Sequence, residues 1–462
     1  MTSSTSASSL PVAVIGGGIT GLSAAYHLVK AGRSVRLFEA SNRIGGVIQT
    51  ERENGWLIEA GPNSLQENSA ELSSLIEELG LLPEKCPALP GARNRYILRR
   101  GKPCAAPLSP PSLLTSPLFS LGGKLRVLGD LLCRPRTRKQ DVSLADFARD
   151  HFGREFVNYA LNPFVSGVYA GNIEKLSAKH AFPSLWESER THGSILRAQI
   201  AAAKAKRRRG ERTGAPPIVS FRTGLEALPR ALGSHLPRGS VELGVRVEGL
   251  IPGTTWRLIW SRDGTTRTEE FASVVLALPS AALARIPVGP LGERPLAAVE
   301  AIDYPPVSSL FLGYRREQVA HPLDGFGLLV PSVEQRSILG ILFSSSLFEG
   351  RAPEGHVALT VMTGGVNRPD LGRLTVSELL PKVREELAGM LGVTGDPVFI
   401  RHNAWARAIP QYNLGYERHL EVMERCERDH PGLLIGGQAR DGIALTACIA
   451  AGRKLAARVG AP

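Results

Sequence analysis

Cysteine is scarce in this 462-residue sequence, and its few cysteines form no recognisable pattern. Cys86, Cys104, Cys133, Cys426 and Cys448 show no Cys-x-x-Cys spacing, which argues against both a zinc site and a disulfide framework. The ten histidines contain no His-Glu-x-x-His motif, so the sequence predicts no catalytic metal. A reducing compartment fits this cysteine usage best.

Long apolar segments are also missing. The most apolar stretch, residues 274–291, is interrupted by three prolines and falls short of the ~18 uninterrupted apolar residues of a membrane-spanning helix. The first ten residues are rich in Ser and Thr and lack the basic start and apolar core of a secretory signal. The sequence therefore predicts a cytoplasmic protein that would meet a membrane from one side only, as a peripheral protein.

Acidic residues are outnumbered by basic ones. There are 43 Asp and Glu against 55 Lys and Arg, a formal net charge of +12, which suggests anionic partners. Basic runs at residues 134–139 and 204–209 lie beside apolar helical patterns. They are either solvated faces or contacts to an anionic membrane surface. Nucleic acid is not expected as a partner, because the runs lack interleaved aromatic residues.

The N-terminal part of the sequence has the pattern of a β-turn-α-β unit. An apolar run, Pro11 to Ile15, is followed by helical spacing over Ile19 to Ala31 and by a strand pattern over Ser34 to Phe38. Between the first strand and the helix, Gly16, Gly18 and Gly21 form the motif Gly-x-Gly-x-x-Gly.

This glycine motif has a mechanical explanation. The first glycine allows a tight turn, the second lets the backbone approach a pyrophosphate, and the third lets the helix pack on the strand. Glu39 ends the second strand, where a carboxylate accepts hydrogen bonds from the ribose of an adenine dinucleotide. The alternative is a glycine-rich turn of an ordinary α/β protein, but strand, helix and acid together favour a dinucleotide site.

Later segments predict further elements. Three strand patterns, which would extend the first sheet, span Val241 to Leu250, Trp256 to Trp260 and Ala272 to Leu278. Between the N-terminal unit and these strands, helices are predicted over Leu113 to Cys133, Leu144 to Ala160 and Leu196 to Arg209. Alternating apolar runs from Ser308 to Met362 predict an antiparallel sheet.

Glu39, Arg43-Ile44-Gly45-Gly46 and Gly61-Pro62-Asn63-Ser64 together resemble the extended FAD signature of the flavin amine oxidase superfamily. That superfamily includes amine oxidases, carotenoid desaturases and protoporphyrinogen oxidases. Residues 162–171 and 409–415, the latter preceded by Trp405, resemble segments of the protoporphyrinogen oxidase branch. The likeness covers nearly the whole chain, from Val12 to Val459.

The resemblance implies an α/β fold of three parts. A discontinuous FAD-binding domain of Rossmann type would comprise residues 10–88, 213–282 and 400–462. A mixed-sheet substrate domain would comprise residues 89–98 and 283–399. A helical insertion that docks to membranes would occupy residues 99–212.

The resemblance also implies FAD as a non-covalent cofactor. Arg43 would neutralise pyrophosphate charge, Val247 would meet adenine through its backbone, Trp405 would lie near the isoalloxazine ring, and the N–H groups of residues 443–445 would face the flavin N1/O2 edge. Cys448 lacks the context of a covalent flavin attachment and is expected in the core. The full predicted cofactor set is Gly16, Gly17, Gly18, Ile19, Thr20, Gly21, Glu39, Ala40, Arg43, Gly46, Val47, Gly61, Pro62, Asn63, Ser64, Val247, Trp405, Ile443, Ala444 and Leu445.

Five residues are implied in the substrate site. The carbonyl of Gly167 would face the reacting porphyrinogen, and Arg95 would hold a propionate with its planar guanidinium. Leu329, Leu342 and Met362 would lie against the macrocycle, although they fit equally well as core residues. A bend at Gly167, and an unspecific basic patch that includes the arginines near Arg95, stay open as alternatives.

The implied activity is stepwise dehydrogenation of protoporphyrinogen IX to protoporphyrin IX in heme biosynthesis, with molecular oxygen as electron acceptor and hydrogen peroxide as product. Coproporphyrinogen III is the alternative substrate. An amine oxidase, a carotenoid desaturase and a non-catalytic flavin- or porphyrin-binding protein are the remaining alternatives, and the sequence leaves open whether the chain forms a homodimer.

Overall fold

The computed structural model describes residues 10–108, 110–210 and 214–460. The strands are β1 (Val12–Ile15), β2 (Val35–Glu39), β3 (Thr50–Glu53), β4 (Trp56–Glu59), β5 (Leu65–Gln66), β6 (Lys85–Pro87), β7 (Asn94–Arg99), β8 (Lys102–Ala105), β9 (Ile218–Phe221), β10 (Val241–Leu243), β11 (Arg246–Ile251), β12 (Trp256–Arg262), β13 (Thr265–Phe271), β14 (Ser273–Leu276), β15 (Val307–Arg315), β16 (Gly325–Leu329), β17 (Ile338–Leu342), β18 (His356–Gly364), β19 (Phe399–Trp405) and β20 (Leu433–Ile435).

The α-helices alternate with these strands and are concentrated between β8 and β9. They are α1 (Ile19–Lys30), α2 (Ala70–Glu78), α3 (Pro110–Thr115), α4 (Leu121–Leu128), α5 (Leu144–Phe156), α6 (Asn162–Tyr169), α7 (Ala178–Ala181), α8 (Pro183–His192), α9 (Ile195–Arg208), α10 (Ala227–Ser234), α11 (Ser280–Leu283), α12 (Ser344–Leu347), α13 (Val376–Leu391), α14 (Glu417–Asp429), α15 (Gln438–Asp441) and α16 (Leu445–Arg458).

A five-stranded parallel sheet, in the order β10-β2-β1-β14-β20, contains the predicted N-terminal unit. Every residue of β1 and of β14 is buried, as expected for parallel strands covered on both faces. The predicted β-turn-α-β unit is therefore confirmed as the centre of the first sheet.

Helices α1 and α16 pack against each other and share a core with this sheet. Ser23 Oγ donates a hydrogen bond of 2.8 Å to the carbonyl of Ile449, and a β-carbon at Gly452 would come within 2.5 Å of the Thr20 carbonyl oxygen. Because α1 follows β1 and α16 follows β20, both helices begin at the edge where parallel strands end. Two helix N-termini consequently face the same side of the sheet.

One sheet prediction was partly wrong. The segment from Val241 to Leu250 was expected to be one strand of the first sheet, but it breaks at Gly244, whose φ of +66° only glycine adopts easily. β10 stays in the parallel sheet, whereas β11, β12 and β13 form a separate antiparallel sheet of three strands. β14 joins the first sheet as expected.

A mixed seven-stranded sheet, in the order β19-β15-β18-β17-β16-β7-β8, forms the second layer. Within this sheet β16 and β7 are parallel, and all the other pairs of neighbouring strands are antiparallel. Leu328, Ile341 and Val361 point to one face and are buried against α13. The residues that alternate with them along these strands point to the opposite face of the sheet, which lies beneath α6.

Two of the three predicted central helices are interrupted, whereas the one predicted over Leu196 to Arg209 is confirmed as α9 (Ile195–Arg208). The helix expected over Leu113 to Cys133 is interrupted between α3 and α4, around Pro117, because proline disrupts a helix. The helix expected over Leu144 to Ala160 is broken at Gly153, with φ of +79°, and continues as a π-helical turn, Val157–Leu161, into α6. Nowhere in the part of the chain that the structure describes is a helix long and apolar enough to cross a membrane.

Candidate flavin and substrate site

The glycine-rich turn is tightly packed on its inner side and open on its outer side. A β-carbon at Gly16 would overlap the Ala277 carbonyl, and one at Gly21 would overlap the Gly16 carbonyl. At Gly18, by contrast, a β-carbon would have no atom within 4 Å. The only one of the three glycines with free space beside it is thus the one predicted to face the pyrophosphate.

Glu39 is held in place beside this turn. Its carboxylate accepts hydrogen bonds from the backbone N–H groups of Gly17 (2.7 Å) and Ser41 (2.8 Å). A carboxylate offers about four lone-pair positions, so two remain for ribose hydroxyls. The N–H of Val245 donates to the Glu39 carbonyl, which brings β11, with Val247, alongside Glu39 and Ala40.

The Arg43 loop covers the glycine-rich turn. The N–H of Gly45 donates to the Gly17 carbonyl (2.8 Å), and Gly46 lies against the backbone of Gly18. The Arg43 guanidinium donates to the carbonyls of Ile44, Gly46 and Ile48. In this structure Arg43 therefore shapes the loop, and its contact with pyrophosphate stays a prediction.

A second group of predicted cofactor residues meets at the far end of this loop. Gly61 approaches the Val47 carbonyl so closely that a side chain would not fit, and Asn63 Nδ2 donates to the Gly61 carbonyl (3.1 Å). Trp405 Nε1 donates to the Ala60 carbonyl (3.0 Å). The predicted cofactor residues of this group are consequently neighbours, as expected if they bind the same flavin: Val47, residues 61–64 and Trp405.

Neither helix that points at the site has a side-chain cap. The N-cap residues of α1 and α16 are Gly18 and Ala444, and neither makes a side-chain hydrogen bond to the first turn. The first N–H groups of a helix need partners from outside the helix, and anionic groups are favoured there. These residues fit the pyrophosphate and the electron-rich edge of a flavin.

Cys448 lies inside α16 and is only 1% exposed. Burial raises the pKa of its thiol to about 11, so the thiol is neutral and unreactive at ordinary pH. This position agrees with the core role predicted for Cys448.

The two segments that carry the porphyrinogen-oxidase resemblance contact each other. The Gln411 side chain is 1% exposed and donates to the Tyr169 carbonyl (2.8 Å). The Tyr416 hydroxyl donates to the Ala439 carbonyl (2.7 Å), which connects this region to α15, the short helix before α16. Sequence reasoning did not select these side chains individually, because their partners are distant in the sequence.

The predicted substrate residues share one face of the seven-stranded sheet. Leu329 on β16 is in register with Gly340 on β17, which is in register with Met362 on β18. Leu342 lies two residues after Gly340 on β17, so its side chain points to the same face of the sheet as Leu329 and Met362. All three predicted apolar side chains are half-buried, unlike the buried residues of the opposite face.

Arg95 belongs to the same face, because it lies two residues before Ile97, which is in register with Leu329. Its guanidinium stacks on the Phe326 ring at 4.3 Å and donates to the Ala92 carbonyl (3.2 Å). Burial lowers the pKa of Arg95. Among the described residues no carboxylate pairs with it, so this half-buried cation is available for an anionic ligand.

The neighbouring arginines are in different situations. Arg99 pairs with Glu155 at 2.8 Å, whereas Arg93 and Arg100 are exposed. Phe326, which supports Arg95, was recognised from the sequence only as part of a strand. Its contact with Arg95 depends on the pairing of β7 with β16, which the sequence pattern does not specify.

Gly167 lies on α6, directly above Leu329. A β-carbon at position 167 would be 2.5 Å from Leu329 Cδ2. The helix is anchored over the sheet at both ends, since the Ser332 N–H donates to Asn162 Oδ1 (2.7 Å) and the Val366 N–H donates to the Ala170 carbonyl (2.8 Å). The structure thus brings Gly167 to the sheet face that carries Arg95.

Comparisons with known proteins identify the class. Residues 19–460 match the family described as flavin containing amine oxidoreductase. The chain is 33% identical to protoporphyrinogen oxidase 2 of Arabidopsis thaliana, over 96% of this chain and 92% of that protein. It is 28% identical to coproporphyrinogen III oxidase of Bacillus subtilis, over 96% of both chains. It also resembles the crystal structure of a provisionally assigned protoporphyrinogen oxidase from Exiguobacterium sp. 255-15, with a TM-score of 0.80, 26% identity and coverage of 97% and 98%.

The chain belongs to the flavin-containing amine oxidoreductase family. Within that class it is an FAD-dependent oxidoreductase whose similarity extends over 92% of protoporphyrinogen oxidase 2 of Arabidopsis thaliana and 96% of coproporphyrinogen III oxidase of Bacillus subtilis. The predicted cofactor and the mixed α/β fold are confirmed.

Proposed function

We propose that this protein oxidises protoporphyrinogen IX to protoporphyrin IX, with molecular oxygen as electron acceptor and hydrogen peroxide as product. The observation that carries the proposal is the sheet face beneath α6. It combines the half-buried guanidinium of Arg95, which has no carboxylate partner within the described part of the chain, with the apolar side chains of Leu329, Leu342 and Met362. A flat apolar macrocycle with carboxylate arms needs both features.

The residues of this chain would act mainly by positioning the substrate. Arg95 would hold a propionate through two parallel hydrogen bonds, and the leucines would support one face of the ring system. Gly167 would bring a backbone carbonyl close to the reacting carbon, because residue 167 itself has no side chain between α6 and the sheet. FAD, held by the predicted cofactor residues, would supply two-electron acceptance, and aromatisation would provide the driving force.

The substrate site would lie between the proposed substrate domain and the proposed helical insertion, with the FAD-binding domain adjoining both. A single partly buried cation among apolar residues suits protoporphyrinogen, in which two propionates have become vinyl groups. Coproporphyrinogen III, with its larger negative charge, is the second candidate, and the similarity to the Bacillus subtilis enzyme favours it.

Steady-state assays in air test this proposal. Porphyrin fluorescence and peroxide formation should both increase with protoporphyrinogen IX, and kcat/KM should exceed the value for coproporphyrinogen III. A primary amine and a carotene serve as controls for the alternative activities. Oxidation of either control compound, with both porphyrinogens inert, would refute the proposal.

We further propose that the helical insertion docks this protein to the cytoplasmic side of a membrane. On α4, Leu121 (74% exposed), Leu125 (62%) and Leu128 (39%) follow helical spacing, and Leu132 is 84% exposed. The basic run 134–139 follows these leucines in the sequence. The side chain of its Arg138 is only 6% exposed and pairs with Glu189, whereas Arg134, Arg136 and Lys139 are exposed. Apolar side chains beside basic residues are typical of helices at an anionic membrane surface. Salt-sensitive co-sedimentation with anionic but not neutral vesicles would support docking, and loss of that binding in Leu121→Ser/Leu125→Ser would assign it to α4.

A further inference from the structure

Three metal-ligating side chains converge outside the flavin and substrate site. Asp141 precedes α5, His180 lies on α7, and Glu417 begins α14. One oxygen of each carboxylate and one ring nitrogen of His180 lie within 4.8 Å of one another. The sequence predicted no metal here because the three residues are far apart along the chain.

The same three residues share a second property. Asp141 Oδ2, His180 Nε2 and Glu417 Oε2 are each shielded from solvent, and none has a hydrogen-bond partner within the described residues. A buried polar atom without a partner destabilises the folded protein, and more so when the group is charged. Three such atoms at one point would be stabilised by a cation.

The geometry also suits a metal ion. His180 Nε2 and Glu417 Oε2 are 3.3 Å apart, close to the ~3.4 Å separation of two ligands bound to one tetrahedral ion at ~2.1 Å. The Asp141 carboxylate is oriented through its other oxygen, which accepts a hydrogen bond of 2.9 Å from the Val142 N–H. The Glu417 side chain is 47% exposed, so ions and water can reach the site from that side.

A second cluster gives a useful contrast. Asp130, Cys133 and His151 also approach one another, but both oxygens of Asp130 accept hydrogen bonds and both ring nitrogens of His151 contact carboxylates. The carboxylate of Asp130 and the ring nitrogens of His151 therefore already have hydrogen-bond partners. In the cluster around His180, by contrast, Asp141 Oδ2, His180 Nε2 and Glu417 Oε2 have no hydrogen-bond partner among the described residues, apart from the 3.3 Å approach of His180 to Glu417.

We propose that Asp141, His180 and Glu417 bind a divalent first-row transition metal ion, with water completing the coordination. One imidazole and two carboxylates favour such ions over magnesium or calcium, which prefer oxygen alone. The ion connects the central helices to α14. The preceding residue, Tyr416, contacts the Ala439 carbonyl, so the metal stabilises the junction between the helical region and the segment that leads to α16.

Zn²⁺ titration of the chelator-treated, flavin-loaded protein tests this site. We expect one equivalent to bind with micromolar or tighter affinity and to raise the melting temperature. His180→Gln and Glu417→Gln should each weaken binding by at least about 100-fold, since removing even a supporting residue around a metal costs 10–100-fold. The exposed His192 provides the matched control, and His192→Gln should bind as tightly as the unaltered protein.

Two results would overturn the site. One is the absence of Zn²⁺ binding below millimolar concentration in the unaltered protein. The other is binding by Glu417→Gln that equals binding by His192→Gln. Glu417 is half-exposed and begins a helix, so its substitution should leave the protein folded even if His180→Gln does not. Circular dichroism checks the fold of each variant.

Discussion

The Leu329 side chain fills the space that a side chain at position 167 would need. A β-carbon on Gly167 would be 2.5 Å from Leu329 Cδ2, well inside van der Waals contact. Helix α6 and strand β16 can approach each other this closely only because residue 167 is glycine. The relationship connects two residues that sequence reasoning assigned separately to the substrate site.

Gly167→Ala should therefore impair catalysis more than stability. The added methyl group must displace the flexible end of Leu329 towards the proposed porphyrinogen surface, and we expect kcat/KM to fall by about tenfold or more, since small displacements in an active site are costly. The double variant Gly167→Ala/Leu329→Ala should recover part of this loss in steady-state kinetics. Additive losses in the double variant would show that the contact has no role in catalysis.

Gly18→Glu should abolish FAD retention without unfolding the protein. The apoprotein has room for the new side chain, but its negative charge would occupy the place of the pyrophosphate. Flavin absorbance per purified chain measures the effect. Gly389→Glu, on an exposed face of α13 with no atom near its β-carbon, is the matched control and should keep its flavin. Full FAD occupancy in Gly18→Glu would refute the pyrophosphate assignment.

Arg95→Ala should raise KM for the porphyrinogen and leave flavin content unchanged. A charge-assisted contact of this kind contributes ~1.5–3 kcal/mol, equivalent to a tenfold to hundredfold loss in kcat/KM. Arg95→Lys should retain only part of the activity, because lysine lacks the planar arrangement of donors in a guanidinium. The exposed Arg93 gives the control variant, Arg93→Ala. If Arg93→Ala lost the activity and Arg95→Ala did not, the propionate anchor would be Arg93.

We expect the Asp130 carboxylate to make a pH-dependent contribution to the stability of the folded protein. Burial raises the pKa of Asp130, but hydrogen bonds from His151, the Leu196 N–H and Ser194 outweigh it and hold the pKa below its ordinary value. A lowered pKa stabilises the folded protein above the unfolded value of about 3.9, and this contribution is lost as the pH falls through the folded value. Asp130 is fully buried.

Asp130→Asn should consequently lower the free energy of unfolding at pH 7 by roughly 3–5 kcal/mol, as expected for breaking a buried charged network. The difference in melting temperature from the unaltered protein should shrink below about pH 4. Asp263→Asn, in an exposed turn, should have little effect at either pH. A difference that stayed constant with pH would contradict the role given to the Asp130 charge.

The local parts of the fold were predictable and the long-range parts were not. The N-terminal unit followed from a strand, three glycines and a helix within 30 residues, because each signal is local. The break at Gly244 was missed, since the apolar pattern continues through it and only the positive φ ends the strand. The sequence could not distinguish Arg95 from Arg99 either. That distinction depends on Glu155, which pairs with Arg99 across 56 positions.

Anaerobic titration of the purified flavoprotein with protoporphyrinogen IX tests the central claim most directly. With oxygen excluded, each FAD accepts two electrons and complete dehydrogenation of one porphyrinogen releases six, so one fluorescent porphyrin should appear for every three flavins that are bleached. Coproporphyrinogen III in a parallel titration should show which substrate reacts faster. Admission of oxygen should restore the flavin absorbance and yield hydrogen peroxide. Flavin that stays oxidised with both porphyrinogens would contradict the proposed activity and would favour a non-catalytic flavin- or porphyrin-binding protein.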